Sequence, residues 1–196
     1  RFLHDHTQPP LVLAGLAHAQ FETIHPFLDG NGRVGRLLIA LLLVERKVLS
    51  RPLLYLSLFL KQNRSEYYER LGSIRTDGDW EGWLQFFLIG VAVTANDATR
   101  VATAVAELRA RHLRQTASES LGRYGLPLLD LLAEQPLVTV KYTVDRIGAT
   151  PTTIGGLLDK MTSLGMVEEV TNHKRNRVYR YSPFLNLFTS DEPDDA

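Results

Sequence analysis

The sequence predicts a mainly α-helical chain, a helical bundle followed by a smaller module of three helices and a β-hairpin. Three observations predict it. Apolar residues recur at helical spacing as far as Leu113, a Ser/Thr/Gly-rich stretch from Gln115 to Gly122 interrupts the pattern, and two short alternating runs, 166–170 and 178–181, follow. With 196 residues there is room for two units, expected at 1–115 and 116–196.

The first helix opens at Pro9-Pro10, where missing amide donors do no harm, and Leu13, Ala17, Phe21 and Ile24 mark its apolar face. It delivers His25 to its end. A loop follows, then a helix from about Arg33 to Lys47 that is apolar nearly all round and so is expected at the centre of the bundle. Ser50-Arg51-Pro52 stops it. Residues 53–60 read as a strand or a short helix, with the helical composition of 61–71 favouring the helix. Asp79 is placed to cap a helix whose buried face carries Trp80, Trp83, Leu84, Phe87, Leu88 and Val91, and a further helix is expected from Asp97 to Leu113.

Beyond the linker, helices are expected over 126–133, 140–147 and 150–164. The last of these begins with Thr150 before Pro151 and is ended by Gly165. Residues 166–170 and 178–181 form the hairpin, and three helices with a hairpin is the winged helix-turn-helix layout. An acidic tail, 191–195, is expected to be disordered.

Composition excludes several functions. Twenty-two basic and twenty-two acidic residues cancel, so no global field advertises nucleic acid. No cysteine is present, which removes disulfides, thiolate metal sites and thiol nucleophiles, and fits a cytoplasmic setting. The longest apolar run, Leu37 to Val44, falls well short of the roughly twenty residues of a membrane span. Residues 1–6 have neither a signal-type apolar segment nor a starting methionine, so a longer parent polypeptide is expected.

The chemistry lies in His25-Pro26-Phe27-Leu28-Asp29-Gly30-Asn31-Gly32-Arg33 and the Arg36 that follows. Consecutive amides in a Gly-Asn-Gly turn can converge on one anion, because glycine tolerates the dihedrals this requires and asparagine nearly does. Leading the turn into a helix adds unpaired amides and the positive end of the dipole. Arg33 and Arg36, three residues apart, share a face on which two guanidinium groups can hold further phosphate oxygens. The pattern suits a polyphosphate. Asp29 would repel phosphate unless a cation lay between them, and Mg²⁺ is the usual ion held by one carboxylate plus phosphates and waters. His25 is the nearby group suited to deprotonating a hydroxyl or water.

These residues resemble the Fic family signature, H-x-F-x-(D/E)-(G/A)-N-(G/K)-R-x-x-R, at every position. The resemblance implies a Fic-type helical core and a protein adenylyltransferase, which moves AMP from ATP to a Ser, Thr or Tyr hydroxyl of a target protein and releases pyrophosphate. It implies His25 as base, Asp29 as Mg²⁺ ligand, Gly30, Asn31 and Gly32 as phosphate nest, Arg33 and Arg36 as clamps, and Phe27 as a core anchor for the loop. Further on, the sequence resembles the adenine-side helix of family members that carry a winged helix, implying that Asn63, Tyr67 and Tyr68 line the adenine pocket. Doc-type kinase relatives favour lysine where Gly32 stands, so nucleotidyl transfer is preferred, while AMP removal or another nucleotide stays open. The family's upstream flap and its inhibitory (S/T)-x-x-x-E-(G/N) helix are not matched, since Glu81-Gly82 has Asp77 where Ser or Thr belongs.

Plainer readings go to the rest. His4-Asp5-His6, His18, His112 and His173 are expected on the solvated surface, and Trp80 and Trp83 in core or pocket wall. In the winged helix, the third helix offers DNA only Thr152, Thr153 and Lys160, while the hairpin tip 172–177 is the better phosphate contact. Docking of a protein, or homodimerisation, is preferred there to DNA. The rival function is a nucleotide-sensing transcription regulator that reads DNA through the winged helix.

Overall fold

A computed structural model describes residues 2–4, 7–51, 55–171, 173 and 176–188. The acidic tail, Asp5 and His6 of the N-terminal cluster, and Asn172, Lys174 and Arg175 of the hairpin tip lie outside them. The chain forms two compact units, residues 1–99 and 100–196.

The first unit holds α1 (Pro10–Ile24), α2 (Asn31–Glu45), α3 (Leu56–Gln62), α4 (Arg64–Asp77) and the start of α5 (Trp80–Ser118). Pro10 at the first position of α1 and the left-handed His25 at its end bound that helix as expected. Asp79 caps α5 by accepting the Gly82 amide at 2.8 Å. The core gathers Ile39 and Leu43 of α2, Leu56 and Leu60 of α3, Tyr67, Leu71 and Ile74 of α4, and Trp83, Phe86 and Phe87 of α5. Glycines allow the closest approaches. A methyl on Gly15 would come within 2.9 Å of the Phe87 ring, and the Trp83 indole donates to the Gly15 carbonyl at 2.9 Å.

Two expectations need correcting here. Helix α2 is not buried all round: Val34, Leu37 and Leu41, 38, 53 and 52% exposed, line one open face, because only the Ile39–Leu43 side meets the core. The expected helices 80–91 and 97–113 are one 39-residue helix, which runs on through Gln115 to Ser118, into the stretch read as a linker. Its polar C-terminal residues include no proline or glycine before Gly122 that would break a helix.

The second unit comprises the later turns of α5, α6 (Gly125–Glu134), β1 (Leu137–Thr139), α7 (Val140–Ile147), α8 (Pro151–Ser163), β2 (Glu168–Glu169), β3 (Val178–Arg180) and the short α9 (Ser182–Leu185). Thr139 and Thr150 cap α7 and α8 by accepting the amides of Tyr142 and Thr153. Gly165, at φ +68°, follows α8 where the sequence placed its terminator. The hairpin strands pair antiparallel, with Glu169 opposite Tyr179. The strand β1 was not expected: it flanks β3, with Val138 opposite Tyr179, giving a three-stranded sheet in the order β1-β3-β2. This unit thus joins its helices to a small antiparallel sheet, as the expected hairpin requires. Leu128, Leu132, Val138, Ile154, Leu158, Met161, Met166 and Tyr179 fill its core.

Candidate active site

The loop between α1 and α2 is shaped by two left-handed residues. His25 (φ 49°, ψ 56°) ends α1, its amide donating to the Phe21 carbonyl at 2.9 Å, and Pro26 prevents the helix from continuing. Gly30 (φ 82°) turns the chain into α2 and accepts the first helical bond from Val34 at 3.0 Å. The loop is tied off by Asn31, almost fully buried, whose Oδ1 accepts the Phe27 amide at 2.9 Å and whose Nδ2 donates to the Phe27 carbonyl at 2.6 Å. Asn31 therefore brings only its backbone to any anion. Phe27, expected as a core anchor, is half exposed and reaches only the edge of Phe21, with ring centres 6.2 Å apart, so the anchoring falls to Asn31.

His25 is exposed, free of packed hydrocarbon. Asp29 turns back on the loop. Its Oδ1 accepts the Gly30 amide at 2.6 Å and its Oδ2 lies 3.5 Å from Arg33, a solvent-exposed pair worth little to stability. The carboxylate thus contacts two of the groups expected to bind phosphate. Arg36 lies along the first turn of α2, where a methyl on Gly32 would come within 3.0 Å of its Nη1. No cluster of three His, Asp or Glu side chains that could cage a metal exists among the described residues. A lone, exposed carboxylate beside phosphate donors nevertheless fits Mg²⁺, which keeps most of its waters and needs few protein ligands.

Beneath the loop lies a polar cluster that the sequence reading placed elsewhere. His18 is fully buried, not solvated: it stacks on Trp83 at 5.9 Å and its Nε2 shares a 3.0 Å hydrogen bond with the Tyr67 hydroxyl. Burial pushes its pKa down to about 4, so it is neutral at physiological pH. Glu22, one turn further on, has an Oε1 shut away from solvent without a hydrogen-bond partner, and burial holds its carboxyl above the ordinary carboxylate range against the pull of His25 and Arg36. The i, i+4 spacing of His18 and Glu22, with His25 three residues beyond, was the available signal.

The adenine-side candidates divide. Tyr67 is buried in this cluster, its hydroxyl committed to His18 and its pKa raised by burial. Tyr68 is exposed with Arg64 over its ring at 5.6 Å, and Asn63, between α3 and α4, donates its side-chain amide to the Phe59 carbonyl at 2.9 Å. His112, also expected on the surface, is buried in the second unit on the Tyr181 hydroxyl at 2.8 Å, whereas His173 is exposed as expected.

Comparison with known proteins bears on this loop. Residues 1–43 match the profile of the Fic/DOC family. The protein adenylyltransferases Fic of Drosophila sechellia and Drosophila melanogaster are each 39% identical over 83 residues, which is 42% of this chain and 15% of theirs. The chain thus spans a small part of the relatives it matches. A Fic family protein from Desulfovibrio desulfuricans G20 superposes with a TM-score of 0.49 at 22% identity, covering 92% of this chain and 51% of that one. The segment that carries the His25–Arg36 loop is thus similar to the Fic/DOC family.

Proposed function

We propose that the chain is the working part of a protein adenylyltransferase that uses ATP and Mg²⁺, with its catalytic residues in 1–115 and a winged helix in 116–196. One observation carries the proposal: an exposed imidazole at the end of α1 shares a short loop with the N-terminal turn of α2 and two arginines. Gly30, Gly32 and the first amides of α2 would receive the phosphates, with Arg33 and Arg36 on either side. Asp29 would hold Mg²⁺, exchanging its bonds to Gly30 and Arg33 for the ion. Bound there, the ion supplies positive charge to the phosphate oxygens.

His25 would take the proton of a Ser, Thr or Tyr hydroxyl as that oxygen bonds to the α-phosphorus. The bond from the α-phosphorus to its bridging oxygen breaks, and the electron pair leaves with pyrophosphate. Such a base contributes roughly 10²- to 10⁴-fold in rate. The arginines hold the leaving charge, and Asn31 keeps the loop closed around the reacting groups.

Incubating the full-length polypeptide, any inhibitory element disabled, with α-labelled ATP and Mg²⁺ tests the reading. Labelled protein is expected, and its loss in His25→Ala. Absence of label, or equal labelling by His25→Ala, overturns it.

For the winged helix, docking of a protein is favoured over DNA. Arg177 is spent on Asp159 at 2.8 Å and Glu169 at 3.7 Å, and Lys160 on the carbonyl of Glu119, so two of the candidate phosphate contacts are already occupied. Sequence-specific, salt-dependent gel shifts with the full-length protein would restore the regulator reading.

A further inference from the structure

We propose that Glu22 is a positioning residue that acts through Arg36, holding its guanidinium on the α1 side of the first turn of α2. The inference rests on the nucleotide-site reading of the loop. Glu22 lodges against Gly35, where α1 packs on α2. Gly35, the residue before Arg36, presents a bare Cα to it: a methyl there would come within 2.6 Å of Glu22 Oε1 and 3.1 Å of the His18 ring. No larger residue fits this place without displacing the carboxylate.

Glu22 Oε1 is shut away from solvent without a hydrogen-bond partner, while His18 has Nε2 on the Tyr67 hydroxyl and Nδ1 against the backbone of Gly35. A buried carboxylate oxygen with no partner is unfavourable unless a nearby positive charge compensates it. The groups facing Glu22 are His18 from its own helix, His25 at the end of that helix, Arg36 from α2 and Tyr67 from α4. Of these, His18 is neutral and Tyr67 is engaged with it. Compensation therefore falls to His25 and Arg36. Arg36 forms no ion pair with any described residue, and its positive field reaches Glu22, His18 and Tyr67 together.

Glu22 Oε1 lies over Gly35 and Arg36 Nη1 over Gly32, two glycines three residues apart on one face of α2, at the turn where phosphate would bind. Electrostatic attraction to Glu22 keeps Arg36 directed along that turn, and Arg33 is left to its exposed contact with Asp29. Glu22 touches no substrate in this scheme. Its effect passes through the arginine.

The test uses the full-length polypeptide with Glu22→Gln, Gly35→Ala and Arg36→Ala, alone and combined. The first readout needs no nucleotide. With ¹⁵N-labelled arginine, Glu22→Gln is expected to move the Arg36 Nε–Hε resonance and to speed its exchange with water. Gly35→Ala, which pushes the carboxylate aside without removing it, is expected to do the same and serves where Glu22→Gln does not fold.

The second readout is ATP affinity by calorimetry. Glu22→Gln is expected to weaken binding about tenfold in the wild-type background and to change it less than about twofold in Arg36→Ala, as coupled residues do. An unmoved Arg36 resonance, or fully additive losses of affinity, overturns the inference. A moved resonance in a protein that binds no ATP would instead overturn the nucleotide reading and leave the Glu22–Arg36 contact standing.

Discussion

Asn31 holds both backbone groups of Phe27, accepting its amide at 2.9 Å and donating to its carbonyl at 2.6 Å, so one buried side chain closes the loop that carries His25 and Asp29. Asn31→Ala removes both bonds and strands the Phe27 groups in a partly buried setting. We expect a loss of roughly 1–3 kcal/mol of stability, measured by denaturant unfolding. Nucleotide-dependent labelling should fall further than the melting temperature alone would explain, because the loop loses its shape before the helices lose theirs.

The buried His18 makes stability depend on pH. Its pKa is about 4 in the folded chain and near 6.5 when unfolded, so between these values the unfolded state binds the extra proton. The contribution of the neutral ring is complete above about pH 6.5 and is lost as pH falls toward 4, about 3 kcal/mol in all. Glu22 works in the opposite sense, since its raised pKa makes the folded state hold its proton longer and so costs stability as pH rises above the ordinary carboxylate range. Denaturation of the protein and of His18→Gln from pH 4 to 7 should show the steeper rise of stability with pH in the parent.

Much of this was legible in the sequence, for reasons that also mark where legibility ended. The loop could be read because its chemistry is local: His25, Asp29, Gly30, Gly32, Arg33 and Arg36 lie within twelve residues, and backbone dihedrals rather than distant contacts bring them together. The caps at Asp79 and Thr150 were equally local. His18 and Glu22 were not, because their burial depends on Tyr67 and Trp83, some fifty or more residues away in the chain. The strand β1 escaped because three residues show almost no alternation, and only β3, forty residues on, makes them a strand.

Gly90 faces the Phe59 ring, to which an added methyl would come within 2.5 Å. The ring packs against Phe86, with centres 5.4 Å apart, and would have to shift to admit it. Gly90→Ala gains up to about 1 kcal/mol of helix propensity but costs roughly 1–3 kcal/mol in overpacking, so a net loss is expected in thermal unfolding.

In the second unit, Tyr181→Phe leaves His112 Nδ1 buried without its 2.8 Å partner. A loss of roughly 1–3 kcal/mol is expected. It should appear as earlier exchange of the amides of α6 and α8 in hydrogen-exchange measurements, while those of α1 to α4 keep their protection.

The row of Val34, Leu37 and Leu41 gives this chain an adhesive side in water. Attraction between such carbon surfaces weakens in the cold and strengthens on gentle warming. Concentrated solutions should therefore scatter more light at room temperature than near freezing, and Leu37→Lys should clear them.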